Sequence, residues 1–281
     1  MDLLLQALQQ LPEFRQLLDT VQSGGAAAAT GLAQINRAHV IAGLYDLGDR
    51  PLAVICQDDL AAKRLQGELK AFLGQEPPVL PGRDLNLYDA AVVSRVWEQR
   101  RLRQLYDLGK GQTRLQIFSW ESMSLRTMPK SALFAAAFQL RLGVQVSVEE
   151  LLARLVAMGY SRAPMVEGPG QFALRGGILD LFSPAEGQPV RVEFFGDELD
   201  TMGYFDPNTQ RRTENVEEIT VLPVAESQPG LHPGGIPGLQ RDLQALLARQ
   251  KRRKNQNERL IRTLEQDLER LENGVSLPAP D

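Results

Sequence analysis

The glycine- and alanine-rich stretch at residues 24–37 is the first place where this sequence could hold a nucleotide phosphate. A glycine-rich turn that leads into a helix presents backbone N–H groups to an anion, and Thr30, Gly31 and Leu32 stand at that turn. A nucleotide-hydrolysing loop also needs a lysine for the phosphates and a following Ser or Thr for magnesium. Residues 33–37 read Ala-Gln-Ile-Asn-Arg instead. We therefore expect a turn without a bound nucleotide.

Groups for catalysis or metal binding are scarce elsewhere. The chain has two histidines and one cysteine, and neither His39 nor His232 has a Cys or His at ligand spacing, so no zinc site is predicted. Asp58 and Asp59 follow a short apolar run and could suggest a metal. A turn at the end of a strand with a helix N-cap is the favoured interpretation. The positions of the two histidines do not suggest a Ser/His/Asp catalytic set. We therefore expect no catalytic residue, and we also expect no metal and no cofactor.

A second kind of chemistry, protein binding, is indicated by residues 190–195. The two-residue period of a strand puts the apolar side chains on one face and Arg191, Glu193 and Phe195 on the other. Arginine beside an aromatic ring is the composition of a binding hot spot. By the same period Arg175 points away from the apolar side chains of its strand, so the two arginines could share a surface. The alternative is that this face only solubilises the sheet, with Phe195 tucked under the next turn.

A basic run at residues 249–254 holds five cations in six residues. Such a run would suit phosphates or an acidic partner. A solvated helix face explains it as well, since Glu258 and Arg262 form an i,i+4 pair just beyond it. The formal net charge of the chain is -4, so no basic field over the whole molecule favours nucleic acid. We expect any DNA binding to be weak and local.

The elements that must position these residues change type along the chain. The pattern of the first part, up to about residue 136, predicts helices over 2–22 with a break at Pro12. Helices and strands then alternate: helix 32–46, strand 52–56, helix 59–73, strand 78–80, helix 92–108 and strand 115–118. Strands separated by helices of this length predict a mainly parallel sheet of the α/β class. Cys56 lies in one of these apolar strands, so we expect it to be buried and the protein to occupy a reducing compartment, the cytoplasm.

The second part is richer in strands. A capping box at Ser147 opens a helix that ends at Gly159, and strands at 171–182, 190–195 and 198–205 follow, with Gly176 and Gly177 interpreted as a bulge. These strands predict an antiparallel meander in an α+β domain. After a glycine-proline linker, one long helix is predicted to end at Gly274. No apolar run is long enough for a membrane span. The predicted domains are 1–136, 137–226 and 227–281.

The meander closely resembles the module shared by the excision-repair protein UvrB and the bacterial transcription-repair coupling factors. The resemblance spans 137–226 and is carried by these segments: Phe172–Pro184, Val190–Asp200 and Phe205–Arg211. Two departures from UvrB favour the coupling factors. The Walker A motif of UvrB is replaced at Thr30, Gly31 and Leu32, which match a relic phosphate loop. The long β-hairpin of UvrB is missing, because segment 78–88 runs directly into the predicted helix 92–108.

The resemblance implies a degenerate helicase-like domain of the P-loop type, an inserted UvrA-binding domain, and the start of a truncated further helicase-like part. It places the UvrA contact on Arg175, Arg191 and Phe195. The implied function is a non-catalytic adaptor that recruits UvrA to a stalled RNA polymerase, in an amino-terminal fragment whose absent domains contact RNA polymerase and DNA. The alternative is an ATP-dependent damage-recognition protein of the UvrB kind.

Overall fold

The computed structural model describes residues 2–82, 96–274 and 277, and its contacts divide the chain into two compact units. Of the described residues, the first unit holds 2–82 and 104–126, and the second holds 96–103, 127–274 and 277. Most of the predicted 80–88 segment and the start of the predicted helix 92–108 lie outside the described residues.

The first unit is a three-stranded parallel sheet with helices, as the alternation of elements predicted. Its helices are α1 (Asp2–Gln10), α2 (Pro12–Gln22), α3 (Gln34–Leu47), α4 (Asp59–Leu73) and α6 (Trp120–Ser124), and its strands are β1 (Leu52–Cys56), β2 (Val79–Leu80) and β3 (Leu115–Ser119). Helix α5 (Val96–Gly109) contributes to both units. The strand order is β1-β3-β2, and both pairings are parallel.

One face of this sheet packs against α3 and α4. The buried cluster between them contains Ala38, Ala42, Ala62, Leu69, Leu115 and Ile117. Asp58 is the N-cap of α4 and accepts a hydrogen bond of 2.7 Å from the Ala61 N–H, which satisfies an otherwise unpaired helix donor. Cys56 is half-buried rather than buried, because β1 is an edge strand of the sheet.

The second unit contains two sheets. Its strands are β4 (Phe138–Arg141), β5 (Ser161–Arg162), β6 (Gln171–Arg175), β7 (Ile178–Leu181), β8 (Val190–Phe195), β9 (Glu198–Phe205), β10 (Arg212–Asn215) and β11 (Glu218–Val221). Six of them form a sheet in the order β10-β9-β8-β7-β6-β5, antiparallel except between β5 and β6. Strands β4 and β11 form a separate antiparallel pair. The predicted meander is therefore confirmed.

The helices of the second unit are α7 (Lys130–Ala136), α8 (Val148–Ala157), α9 (Gly235–Lys251) and α10 (Glu258–Glu272). Helix α8 covers one face of the six-stranded sheet, where Leu151 and Leu155 join the largest buried cluster with Phe172, Leu179 and Val192. No helix among residues 2–82 and 96–274 is long and apolar enough to cross a membrane.

Two elements differ from the sequence prediction. The predicted strand 171–182 is a hairpin, and Gly176 and Gly177 form its two-residue turn rather than a bulge. Gly176 has a φ of 60°, a left-handed conformation that glycine adopts without steric cost. The single long helix predicted after the linker is two helices, α9 and α10, which pack against each other. The polar run 252–257 offers nothing to bury, and Asn257 caps α10 by accepting from the Leu260 N–H at 3.0 Å.

Candidate protein-binding surface

The six-stranded sheet has one face packed on α8 and an opposite face that carries the predicted binding residues. Along β8, Val190 and Val192 are fully buried, whereas the side chain of Phe195 is 81% exposed. Arg191 therefore lies with Phe195 on the face away from the core, as the alternation predicted. We term this face the open face. Its side chains that matter below are Arg175, Ile178, Asp180, Arg191, Glu193, Phe195 and Arg212.

Asp180 is the buried centre of the open face. It lies on β7, directly opposite Arg191 on β8, and is 0% exposed. Its Oδ1 accepts from Arg191 Nε at 2.7 Å, and its Oδ2 accepts from Arg191 Nη2 at 2.9 Å and from Arg175 Nη2 at 2.5 Å. The structure thus brings the two predicted arginines together on one carboxylate. Buried ionised groups require such partners.

Sequence reasoning missed Asp180, although a usable signal was present. A two-residue turn at Gly176 and Gly177 fixes the register of β6 and β7, and that register sets Asp180 on the same face as Arg175. A bulge at these glycines would not fix the register, so the predicted bulge left the face of Asp180 undetermined.

The two arginines have different surroundings. The Arg191 side chain is 19% exposed, and its Cζ lies 4.7 Å from the centre of the Phe205 ring. Its guanidinium also donates to the main-chain oxygen of Gln210 at 3.3 Å and to Gln210 Oε1 at 3.4 Å. Hydrogen bonding to Asp180 raises the pKa of the Arg191 guanidinium. Arg175 is 51% exposed. Arg191 is therefore enclosed, while half of the Arg175 side chain reaches solvent.

The apolar part of the open face was only partly predicted. Phe195 does not tuck under the turn that follows it, since most of its ring is exposed. Ile178, which the sequence did not single out, is 37% exposed and lies opposite Glu193, so it is a diagonal neighbour of Phe195 within reach of a large side chain. Arg212 Nη1 lies 3.8 Å from Glu193 Oε1. An exposed aromatic and an exposed aliphatic side chain on the same face as arginines favour the protein-binding interpretation.

The predicted relic phosphate loop belongs to the first unit, and the open face belongs to the second. Thr30, Gly31 and Leu32 belong to an irregular segment between α2 and α3, so a helix precedes the loop and not a strand. The main-chain oxygen of Leu32 accepts from Arg37 Nε at 3.3 Å. The Arg37 guanidinium is thus directed at a carbonyl oxygen. Within the described ranges, no three His, Cys, Asp or Glu side chains lie close enough together to hold a metal ion.

Comparison with known families gives this surface a context. Residues 138–226 match the model of the UvrB interaction domain family. The match begins at the first residue of β4 and ends beyond β11, so it contains the whole six-stranded sheet and its open face.

Individual relatives are similar to this chain over a longer stretch than the family model. The chain is 34% identical over 222 residues to the transcription-repair-coupling factor of Myxococcus xanthus, and 31% identical over 212 residues to that of Staphylococcus aureus strain USA300. These alignments cover 76% and 75% of this chain but 18% of each relative. The chain therefore spans about a fifth of the length of these curated relatives. The resemblance to UvrB and the coupling factors predicted from the sequence is confirmed.

Proposed function

We propose that this chain is a non-catalytic adaptor region of a transcription-coupled DNA repair factor, and that its open face binds UvrA. The observation that carries the proposal is the 81% exposed Phe195 on the same sheet face as two arginines, inside the segment that matches the UvrB interaction domain. The name of the relatives, transcription-repair-coupling factor, supports the link to transcription. Recruitment of UvrA to a stalled RNA polymerase is part of this proposal, as are a cytoplasmic location and contacts to RNA polymerase and DNA through regions that the chain does not span.

The chemistry of the open face limits what a partner must offer. Phe195 and Ile178 need an apolar depression, because a ring that stays in water contributes nothing to affinity. Arg175 needs a carboxylate, with which a guanidinium forms two parallel hydrogen bonds. An acidic group at the rim of an apolar pocket would satisfy both needs.

Substitution of Phe195 is the cleanest test of this surface, because its side chain supports little of the fold. Phe195→Ala should weaken binding to purified UvrA about thirtyfold, since a central hot-spot side chain contributes about 2 kcal/mol. Titration calorimetry measures the loss, and an unchanged thermal midpoint shows that the variant folds. The matched control is Trp120→Ala, which removes another exposed aromatic, 65% exposed on α6, and should leave binding unchanged.

Arg175→Ala should also weaken binding, while Glu193→Ala, of opposite charge on the same face, should cost less. If Phe195→Ala and Arg175→Ala bind UvrA like the parent, the open face only solubilises the sheet and the proposed function is wrong.

We also propose that the first unit is a degenerate helicase-like domain of the P-loop type that does not use ATP. The parallel sheet with its helices supports the fold, and the missing lysine and hydroxyl around Thr30 and Gly31 support the loss of activity. Titration with a fluorescent ATP analogue should show no binding in the micromolar range. Micromolar binding that disappears in Thr30→Ala or Gly31→Ala would instead establish the alternative, an ATP-dependent protein of the UvrB kind.

A further inference from the structure

We propose that Arg175 and Arg191, the two arginines that bind Asp180 on the open face, have separate roles. Arg175 contacts the partner directly, whereas Arg191 and Asp180 are positioning residues that keep Arg175 turned toward it. This division rests on the proposed function and deepens it. The group that meets Arg175 is a carboxylate of the partner, and Arg191 meets no partner group.

The count of hydrogen-bond donors separates the two arginines. A guanidinium has five N–H donors. Arg191 directs four of them into its own domain, two to Asp180 and two to Gln210, and its side chain is 19% exposed. Arg175 directs one N–H to Asp180 and is 51% exposed. Arg175 therefore retains the donors and the access that a bidentate contact with a carboxylate requires.

Asp180 explains how Arg191 can act without touching a partner. A buried carboxylate that loses one of its cationic partners is strongly destabilised, so it draws the remaining partner closer. In the intact protein Arg191 binds both oxygens of Asp180, and a single N–H of Arg175 completes the site. Without Arg191, the Arg175 guanidinium should turn inward to neutralise Asp180 and withdraw from the surface.

Chemical modification of the free protein tests the division without any partner. Phenylglyoxal modifies accessible arginines, and peptide mass spectrometry gives the rate at each position. Arg175 should react several times faster than Arg191 in the parent. In Arg191→Lys, which keeps the positive charge but cannot bind both oxygens of Asp180, the reaction of Arg175 should slow. Arg212, on the same face, serves as the internal reference.

Equal reactivity of Arg175 and Arg191 in the parent would overturn the division of roles. So would a rate at Arg175 that does not change in Arg191→Lys or Arg191→Ala.

Binding to purified UvrA gives the second test, by a double-mutant cycle. Arg191→Ala should weaken binding about tenfold, or roughly 1.4 kcal/mol. Adding Asp180→Asn to Arg191→Ala should restore most of this affinity, because Arg175 is then no longer drawn inward. A direct contact by Arg191 predicts no such rescue, since the lost donor is not replaced. Glu193→Gln in the Arg191→Ala background is the matched control, which neutralises a carboxylate on the same face and should not rescue.

The outcomes separate the two proposals. If the parent does not bind UvrA, the proposed function fails, and the modification rates still decide the roles of the arginines. If Phe195→Ala and Arg175→Ala lose binding but Asp180→Asn brings no rescue, the surface is correct and the division of roles is wrong. A thermal midpoint for each variant shows whether a loss of binding is a loss of folding.

Discussion

Cys56 is protected by its electrostatic surroundings as well as by packing. Its thiol is half-buried at the end of β1, and burial, together with the nearby Asp58 carboxylate, raises the pKa of Cys56 above its ordinary value. The thiolate is the reactive form, so a raised pKa lowers reactivity at neutral pH.

We expect slow alkylation of Cys56 by iodoacetamide at neutral pH, with a rate that rises only as the pH exceeds the ordinary thiol pKa. Asp58→Asn should speed the reaction, because it removes a negative charge while asparagine still caps α4. Mass spectrometry of native protein across a pH series measures both rates. Stoichiometric labelling of the parent within minutes at neutral pH would contradict this expectation.

Single residues could be assigned from the sequence where the pattern lay within one strand, and not where it depended on contacts between strands. Alternation within one strand placed Arg191 and Phe195 on the open face, because a strand has a fixed period of two. The burial of Asp180 and the links from Arg191 to Gln210 depend on neighbouring strands and loops. Such contacts follow from register, which a local pattern does not contain.

At the scale of elements, a buried ion pair joins α5 to the segment after β11. Arg101 Nε lies 2.8 Å from Glu226 Oε1, with side-chain exposures of 0% and 2%, and Glu226 Oε2 accepts from the Met128 N–H at 3.1 Å. Burial raises the pKa of Glu226 and lowers the pKa of Arg101, and the attraction between the two charges opposes both shifts. Each of these charges therefore stabilises the other.

Arg101→Met should destabilise the second unit by about 3 to 5 kcal/mol, because it leaves the Glu226 charge buried without its partner. Urea denaturation followed by circular dichroism measures the change. The matched control is Lys70→Met, which breaks a pair of 2.6 Å between side chains that are 58% and 55% exposed, and which should cost less than about 1 kcal/mol. Similar denaturation midpoints for the two variants would show that the buried pair has no special role.

The elements themselves were predicted where the local pattern was decisive. Strands β1, β8 and β9 have the predicted bounds, since each is an apolar or alternating run between turn residues. The pairing of β4 with β11 was not predicted, because these strands are short and lie about eighty residues apart. The break between α9 and α10 was missed because no proline or glycine marks it. Only the lack of apolar residues around 252–257 indicated it.

At the scale of the whole molecule, charge argues against strong DNA binding. The net charge is -4, and the basic run 249–254 spans the last turn of α9 and the start of the connection to α10. Within this run, Lys251 Nζ already pairs with Glu265 at 2.6 Å. A few phosphate contacts lose affinity steeply with salt.

We expect little binding to duplex DNA at about 150 mM salt, where exposed charges are screened beyond roughly 8 Å. Fluorescence anisotropy with a labelled duplex measures it. Submicromolar binding that disappears when the basic run is neutralised would assign DNA binding to this run. The residues to neutralise are Arg249, Lys251, Arg252, Arg253 and Lys254.

The pairing of β4 with β11 also bears on how this region can be moved between proteins. Phe138 lies opposite Val221, and Arg141 pairs with Glu218, so the chain enters and leaves the intervening segment about 5 Å apart, the spacing of adjacent strands. Adjacent ends are what an insertion into a foreign surface loop requires, because the host loop is not pulled open. A cassette that begins at Phe138 and ends at Val221 is therefore suited to grafting, and a host protein that receives it should acquire the open face as a unit.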